Sequence, residues 1–561
     1  MASPEFLTEM ARLQDSRPIT KVEYIDLDGN VTDLSAYFIE GARFAQGKER
    51  APDEMQAGDF DVTFNNESGL FSEFLPGSLF YRVNYHTARI RISQGFVLPD
   101  GTTEYEQQAT AFIDMLEADQ EESRVTLRCR DKIRVLLDRF IHQRPTVETA
   151  DPDGSNVGDG TITAIETKPF KTKNENWTIV CTTPGGDGVA EFSVTGSVSG
   201  SVGPAMSGTE FSTGDGAGGI KFTISNGNVD WDTGDEFTFT TKQYPEWSAV
   251  NVIKIIWSIL TGYNYDTDTQ EAWSGLVLDF DHTKSNANTD LDYAAFVEAI
   301  SDTTAIGNFN LTGRVPYDVL ASDVIRKLVL LFLGSIFTNA DGRISIKVYL
   351  PGTSPTPSAS FSDALKNTMC GYVRSIDEII NYVSIAYKKR NRWEFSNEQV
   401  TYDGNWVELN QASIDLYGYL TQGYSMDWFA ANGAHVQDLA SKIVARYGEP
   451  PLNIDFQTGL DALLTQVGDI VAVTDQKHNL IDIRGEVIKK TCEFDTVPAH
   501  ISMRIRRDAD LNALYGVLGS RVDEGDGRSP QASTYGAATD IDKEYCYLGA
   551  LSNSSPNYLL F

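Results

Sequence analysis

The side chains with the most capacity for chemistry here are carboxylates. One short stretch, DFDHTKSNANTDLD, gathers Asp279, Asp281, Asp290 and Asp292. Hard oxygen ligands grouped this way suit calcium. The helix–loop–helix calcium pattern needs glycine where Lys284 stands, so the stretch reads as a solvated acidic loop and no metal is expected. The six histidines, at 86, 142, 282, 435, 478 and 500, are too scattered to suggest a triad or a metal cluster. Cys129, Cys181, Cys370, Cys492 and Cys546 are odd in number and include no C-x-x-C pair, which removes the usual signatures of a disulfide framework or structural zinc. The first four read as small buried hydrophobes, and Cys546 as a thiol in a polar tail. No nucleophile elbow, H-E-x-x-H, phosphate loop or dinucleotide fingerprint occurs. The Gly/Ser run GSVSGSVG carries Val198 where a nucleophile elbow needs serine. The expectation is no catalytic residue, no cofactor-binding residue and no metal ligand.

The elements around these residues are mostly strands. Phe60, Val62 and Phe64 alternate with polar residues, as do Ile90 and Ile92, and Val125, Leu127 and Cys129. Period two with one apolar face predicts half-buried strands. From Asp151 the chain turns rich in Gly, Ser, Thr and Asp, yet keeps short strands over Thr161–Ile165, Trp177–Cys181, Glu191–Thr195, Ile220–Ile224 and Glu236–Thr240. That pattern predicts a small inserted β-sandwich. Helical spacing returns with Val250, Ile253, Trp257 and Leu260. The greasiest run, Leu328 to Phe337, is about half of what crosses a bilayer and reads as buried helix. Asp341-Gly342 signals a hairpin. Val436, Leu439, Ile443 and Tyr447 form a helical stripe that Gly448, expected in the left-handed C′ position, and Pro450 should end.

With 46 basic against 79 acidic side chains and a net charge of −33, a nucleic-acid or anionic-membrane binder is disfavoured, since both need a basic face. The clusters Tyr387-Lys388-Lys389-Arg390 and Met503-Arg504-Ile505-Arg506-Arg507 read as solvated strand faces. No secretion signal is visible at the N-terminus, so a protein made in a cytoplasm is expected. A chain of 561 residues exceeds one core and suggests about three to four domains.

The order of segments resembles that of the baseplate hub or tail-tip proteins of tailed bacteriophages and related gene-transfer particles. DFDVTFNNESGLFSEF is similar to that family's strand followed by an Asn, Gly, Phe turn, and ARIRIS with RVTLRCRDKIRVLL to its paired strands ending in a short helix. VIRKLVLLFLGSIFTNADGRISI, NYVSIAYKK, NQASIDLYGYLTQGY and VGDIVAVTD follow in the family's order, so the likeness runs from about residue 20 to 510, the insert excepted. It implies a multi-domain, β-rich α+β fold with tube-like β-barrel or sandwich domains, short helices and the inserted β-sandwich. The divisions expected are an N-terminal arm (1–18), the first part of a tube-like domain (19–153), the insert (154–241), an α+β domain with helix and Asp-Gly hairpin (242–370), a second tube-like domain (371–510) and an extended C-terminal arm (511–561).

The resemblance further implies a structural, non-enzymatic virion protein at the tail tip, a homo-oligomer and usually a trimer, closing the tail tube. Its partners would be a distal tail protein, the tape measure protein, and a tail fibre or receptor-binding protein. Genomic DNA would pass through without specific binding, which an acidic lumen favours by repelling phosphate. A second function class is a tail-associated carbohydrate-binding or carbohydrate-cleaving protein, which exposed Trp177 or Trp231 on the insert would favour. A secreted adhesin is disfavoured by the absence of repeats. In the arm, Tyr545, Tyr547, Leu548, Leu551, Tyr558, Leu559, Leu560 and Phe561 make an apolar finish that gains only by docking, and it is expected to tether a peripheral tail-tip protein.

Overall fold

Apolar–polar alternation, read strand by strand, becomes one large sheet. The computed structural model describes residues 2–12, 18–47, 58–119, 123–139, 146–167, 172–173, 175–213, 219–242, 246–270, 278, 280–301, 310–315, 319–348, 356–366, 368–389, 402–426, 429–430, 433–478, 480–494, 500–508, 547–548 and 558–559. Helix α1 (Pro4–Ala11) is capped by Ser3, whose hydroxyl accepts from the Phe6 amide. Then come β1 (Pro18–Ile25), β2 (Val31–Asp33), β3 (Phe38–Gly47), β4 (Asp59–Asn65), β5 (Arg89–Val97), β6 (Thr103–Asp119), β7 (Arg124–Arg130) and the short helix α2 (Ile133–Asp138).

The insert supplies β8 (Thr146–Val147), β9 (Asp151–Pro152), β10 (Thr161–Thr167), β11 (Glu175–Thr183), β12 (Glu191–Gly196), β13 (Gly200–Met206), β14 (Glu210–Ser212), β15 (Ile220–Ser225) and β16 (Glu236–Lys242). They form two sheets, β13-β12-β11-β16-β8 with β9 also on β16, and β10-β15-β14. A separate core lies between them, built on Trp177, Ile179, Phe192, Phe222, Trp231 and Phe237. This is the expected sandwich, and its larger sheet reaches back to Thr146, which pairs with Lys242.

The middle of the chain gives β17 (Glu246–Asn251), α3 (Val252–Thr261), α4 (Tyr293–Ser301), β18 (Asn310–Arg314), α5 (Ala321–Leu330), β19 (Ser335–Thr338) and β20 (Ile344–Lys347). All of α3 except Lys254 is buried, so the expected stripe is instead a helix enclosed on every side, and Val250, expected in it, belongs to β17. The run Leu328–Phe337 is not one helix: α5 stops at Leu330, Leu333 takes a positive φ of 50°, and Ser335–Thr338 is strand. A Cβ on Gly334 would meet the Lys347 carbonyl at 2.1 Å, so the backbones at the start of this hairpin are too close for any other residue. The Asp341-Gly342 turn forms as expected between β19 and β20, with Gly342 at φ 77°.

The last third adds β21 (Ala359–Phe361), β22 (Gly371–Arg374), β23 (Tyr382–Lys389), β24 (Tyr402–Leu409), α6 (Gln411–Tyr417), β25 (Thr421–Ser425), β26 (Phe429–Ala430), α7 (Gly433–Tyr447), β27 (Leu452–Thr458), β28 (Ile470–Asp475), β29 (Leu480–Glu493) and β30 (His500–Arg507). The expected stripe of α7 is buried, but Gly448 does not take the left-handed conformation. Its requirement is space, because a Cβ there would lie 2.4 Å from the Val444 carbonyl. Of the C-terminal arm only β31 (Tyr547–Leu548) and β32 (Tyr558–Leu559) are described, paired antiparallel; the rest lies outside the described residues.

Sequence-distant strands share a 13-stranded sheet with the path β2-β1-β5-β6-β7-β4-β3-β29-β30-β27-β22, with β28 and β21 attached beside β29. The path is open at β2 and β22 and does not close into a barrel among the described residues. The join is β3 against β29, where Phe44 opposes Cys492. One core underlies both halves, with Val62, Ile90 and Leu127 sharing it with Ile454, Val487 and Ile505. A third core gathers α2, α3, α4, α5 and α7 with β19, β20 and β23. The molecule is thus multi-domain, β-rich α+β.

Candidate functional site

The described carboxylates of the acidic stretch all have internal partners. Asp281 accepts from the amides of Thr283 (2.9 Å) and Thr289 (3.2 Å). Asp290 accepts from the Asp281 amide at 2.6 Å and forms an ion pair with the buried Lys132. Asp292 accepts from Asn339 and Ser345, both at 3.1 Å. Asp279 lies outside the described residues. These carboxylates fasten the loop to α2 and the β19–β20 hairpin, and among the described residues no group of three or more candidate metal ligands occurs.

Among the described residues histidines end in local contacts, and His142 lies outside those residues. His282 stacks on Tyr263, His478 lies 3.4 Å from Asp475, and His500 lies 2.9 Å from Glu493. The Gly/Ser turn near Ser199 is filled by the buried Glu175, whose carboxylate accepts from the amides of Val198 (3.1 Å) and Ser199 (2.7 Å). Trp177 and Trp231 are 0% and 2% exposed, so neither is a sugar platform; they are core. Four cysteines are buried and free, and Cys546 lies outside the described residues. Burial pushes the Cys370 thiol up to about 11 even with Lys366 at 3.4 Å, which keeps it protonated and unreactive.

What remains is a surface. The face of the large sheet opposite its core runs over seven neighbouring strands, β6-β7-β4-β3-β29-β30-β27. Strand alternation puts Asp61, Thr63, Arg124, Thr126, Arg128 and Arg130 there while Val62, Leu127 and Cys129 go to the core. Its charges are matched across strands: Arg124 to Glu40 (3.0 Å), Arg128 to Glu117 (2.9 Å) and Arg130 to Asp114 (3.3 Å). Arg504 grips Asp455 through two bonds of 2.6 and 3.0 Å. Thr63 and Thr126 share a 2.9 Å hydroxyl bond between them. A shallow groove of about 430 Å³ crosses this face, floored by Lys489, Thr491, Ser502, Asp455 and Gln457. It mixes both signs of charge, so it selects neither an anion nor a cation. Sequence reasoning had Arg504 correctly on a solvated strand face, though not its partner Asp455, but Arg506 of the same cluster is buried.

The joint behind the face is built differently. Arg446 of α7, fully buried, bonds Glu486 (2.8 Å) and Asp508 (2.9 Å) and donates to the Leu333 carbonyl. Arg506 bonds Asp508 at 2.6 Å. Burial alone would raise the Asp508 carboxyl, yet Arg506 and Arg446 hold it below its ordinary value. This network ties the helical core to β29 and the end of β30. The cluster Lys388–Arg390 falls partly outside the described residues, and the side chains there are not described.

No protein-family model matches the chain, and no curated protein matches it in sequence. Among solved structures it is similar to a tail protein from Neisseria meningitidis at 10% identity, covering 87% of this chain and 96% of that one with a TM-score of 0.42. It is similar to the 43 kDa tail protein of prophage MuSo2 from Shewanella oneidensis at 7% identity, over 87% and 98% of the two chains with a TM-score of 0.39. A prophage tail protein from Listeria monocytogenes is similar at 7% identity, over 87% and 94% with a TM-score of 0.36.

Proposed function

We propose that this chain is a structural, non-catalytic component of a phage-type tail, acting at the tail tip as a baseplate hub. The observation that carries the reading is the open sheet: core on one face, paired charges on the other, and an exposed strand at each end. Exposed edges invite pairing, and a closed ring of copies is the solution that leaves none open. In this reading β22 of one copy meets β2 of the next, three copies close the ring, and the charge-paired face lines the channel. Arg124, Arg128, Arg130 and Arg504 are each matched to a carboxylate, so DNA phosphates passing them displace few counterions and are not held. The lumen then resists DNA by internal neutralisation on this face, rather than by the net acidity of the whole chain. The distal tail protein, the tape measure protein and a fibre or receptor-binding protein would occupy the ring's two rims and its outside.

Antibody labelling of intact tails with copy counting tests this. Label at one end of the tail and three copies per tail are expected. Label along the tube, or a single copy per tail, overturns the hub. The purified chain should leave peptidoglycan and capsule zymograms unclear; clearing that disappears on replacing one Asp or Glu would establish the lytic alternative.

A further inference from the structure

Among the described residues the small sheet β24-β23-β25 is covered on one side only. Its inner face, Val383 and Ile385, is buried with α7 in the helical core. Its outer face carries Tyr382, Ser384 and Ala386 from β23, opposite Leu409, Val407 and Asn405 from β24 and Thr421, Gly423 and Ser425 from β25. Small residues make a flat floor between the exposed Val407 and Leu409 on one flank and the Tyr382–Tyr419 ring pair, 5.9 Å apart, at one end. Tyr419 of that pair is 66% exposed, and Leu416 of the preceding α6 is 75% exposed. The projection is held stiffly: Asn381, fully buried, donates to the Gly418 carbonyl and accepts from the Leu420 amide, both at 2.8 Å. Large apolar side chains fixed in water on a rigid support mark a surface that something covers.

The end of the same chain has the complementary need. Residues 545–561 carry no charge and are rich in Tyr and Leu. Tyr547 pairs with Leu559 and Leu548 with Tyr558 in a hairpin of two-residue strands. A lone two-stranded hairpin is marginal in water and needs an apolar surface to rest on. Residues 509–544, at about 3.3 Å each when extended, reach roughly 120 Å, so distance from Asp508 does not limit where the hairpin lands. We propose that the C-terminal hairpin, Tyr545–Phe561, docks on the outer face of β24-β23-β25, in its own chain or in the neighbouring copy.

Cys546 makes this measurable in the purified full chain, because the four described cysteines are all buried. Leu416→Cys and, separately, Tyr419→Cys should form a disulfide with Cys546 under mild oxidation, at least severalfold more than Val198→Cys, exposed on the insert. Cys546→Ser should abolish it. Gel mobility separates an intrachain bridge from a chain-to-chain one, and either supports docking. Truncation after Asp523 should raise binding of a hydrophobic dye severalfold, with loss of the increment when Leu416 and Tyr419 are also made Ser. Crosslinking at Leu416 and Tyr419 no greater than at Val198 overturns the proposal, as does unchanged dye binding on truncation. Neither readout depends on the chain being a tail-tip hub. Loss of a peripheral protein from truncated tails without any crosslink would instead establish the arm as a tether.

Discussion

At the scale of single residues, several described side chains are arranged to handle buried charge. Asp131 is the sharpest case. Burial pushes its carboxyl up to about 7, against the amides of Gly58 (2.7 Å) and Ile133 (3.1 Å), which donate to it. In the unfolded chain the same group titrates near 3.8. Below about pH 4 both states are protonated and the group contributes nothing. Between about pH 4 and 7 the unfolded chain ionises first, so stability falls as pH rises, by about 4 kcal/mol at most. Asp131→Asn cannot ionise, but it keeps one acceptor oxygen and turns an NH2 on the other amide, because Gly58 donates to Oδ2 and Ile133 to Oδ1. It should lower the urea midpoint at pH 4.5 and flatten its fall between pH 4.5 and 7.5; parallel pH profiles for the two proteins would show that native Asp131 is already ionised. Little of this was legible in the sequence. The acidic stretch at 279–292 was visible as acidity, but its neutralisation by Lys132, 158 residues before Asp290, depends on contacts between distant segments.

At the scale of elements, alternation was enough to place most strands, since period two on a half-buried sheet is written into each segment. It failed where the environment is apolar on all sides. The run Leu328–Phe337 has no polar face to declare its period, and only close packing at Gly334 and the pairing of β19 with β20 turn its second half into strand. The insert was legible by composition, and its own core explains why. Its ends explain something further. Thr146 and Lys242 are cross-strand partners, which places their Cα atoms about 5 Å apart. Removing 147–241 and joining these ends with a short linker should leave a soluble remainder with a cooperative melt. The module 146–242 should fold alone. Cutting instead at Gly154 and Thr241 leaves β8 and β9 without the strand they pair to, and that remainder should be less soluble. Aggregation of both remainders would place the insert within the main core.

At the scale of the whole molecule, the decisive feature is a sheet that begins in one end of the chain and finishes in the other. No local pattern could announce it, because β3 and β29 pair across more than four hundred residues of sequence. Its two ends are unlike ordinary protected edges. In β22 every residue is exposed, with Tyr372 at 54% and Val373 at 56% although they point to opposite faces. β2 is exposed throughout as well, and carries Asp33 where β22 carries Arg374. Soluble proteins blunt such edges with charge, proline or bulges, and aligned apolar side chains on an open ladder make a template for another strand. If these edges join copy to copy, a charge placed on the apolar strand should block joining without disturbing the fold, because neither side chain contributes to a core. Val373→Lys should therefore keep the melting temperature of the parent chain while shifting the assembled species to monomer in light scattering. Val198→Lys, exposed on the insert, should leave assembly unchanged. A Val373→Lys chain that still assembles would move the subunit contact away from β22 and with it the ring built on that edge.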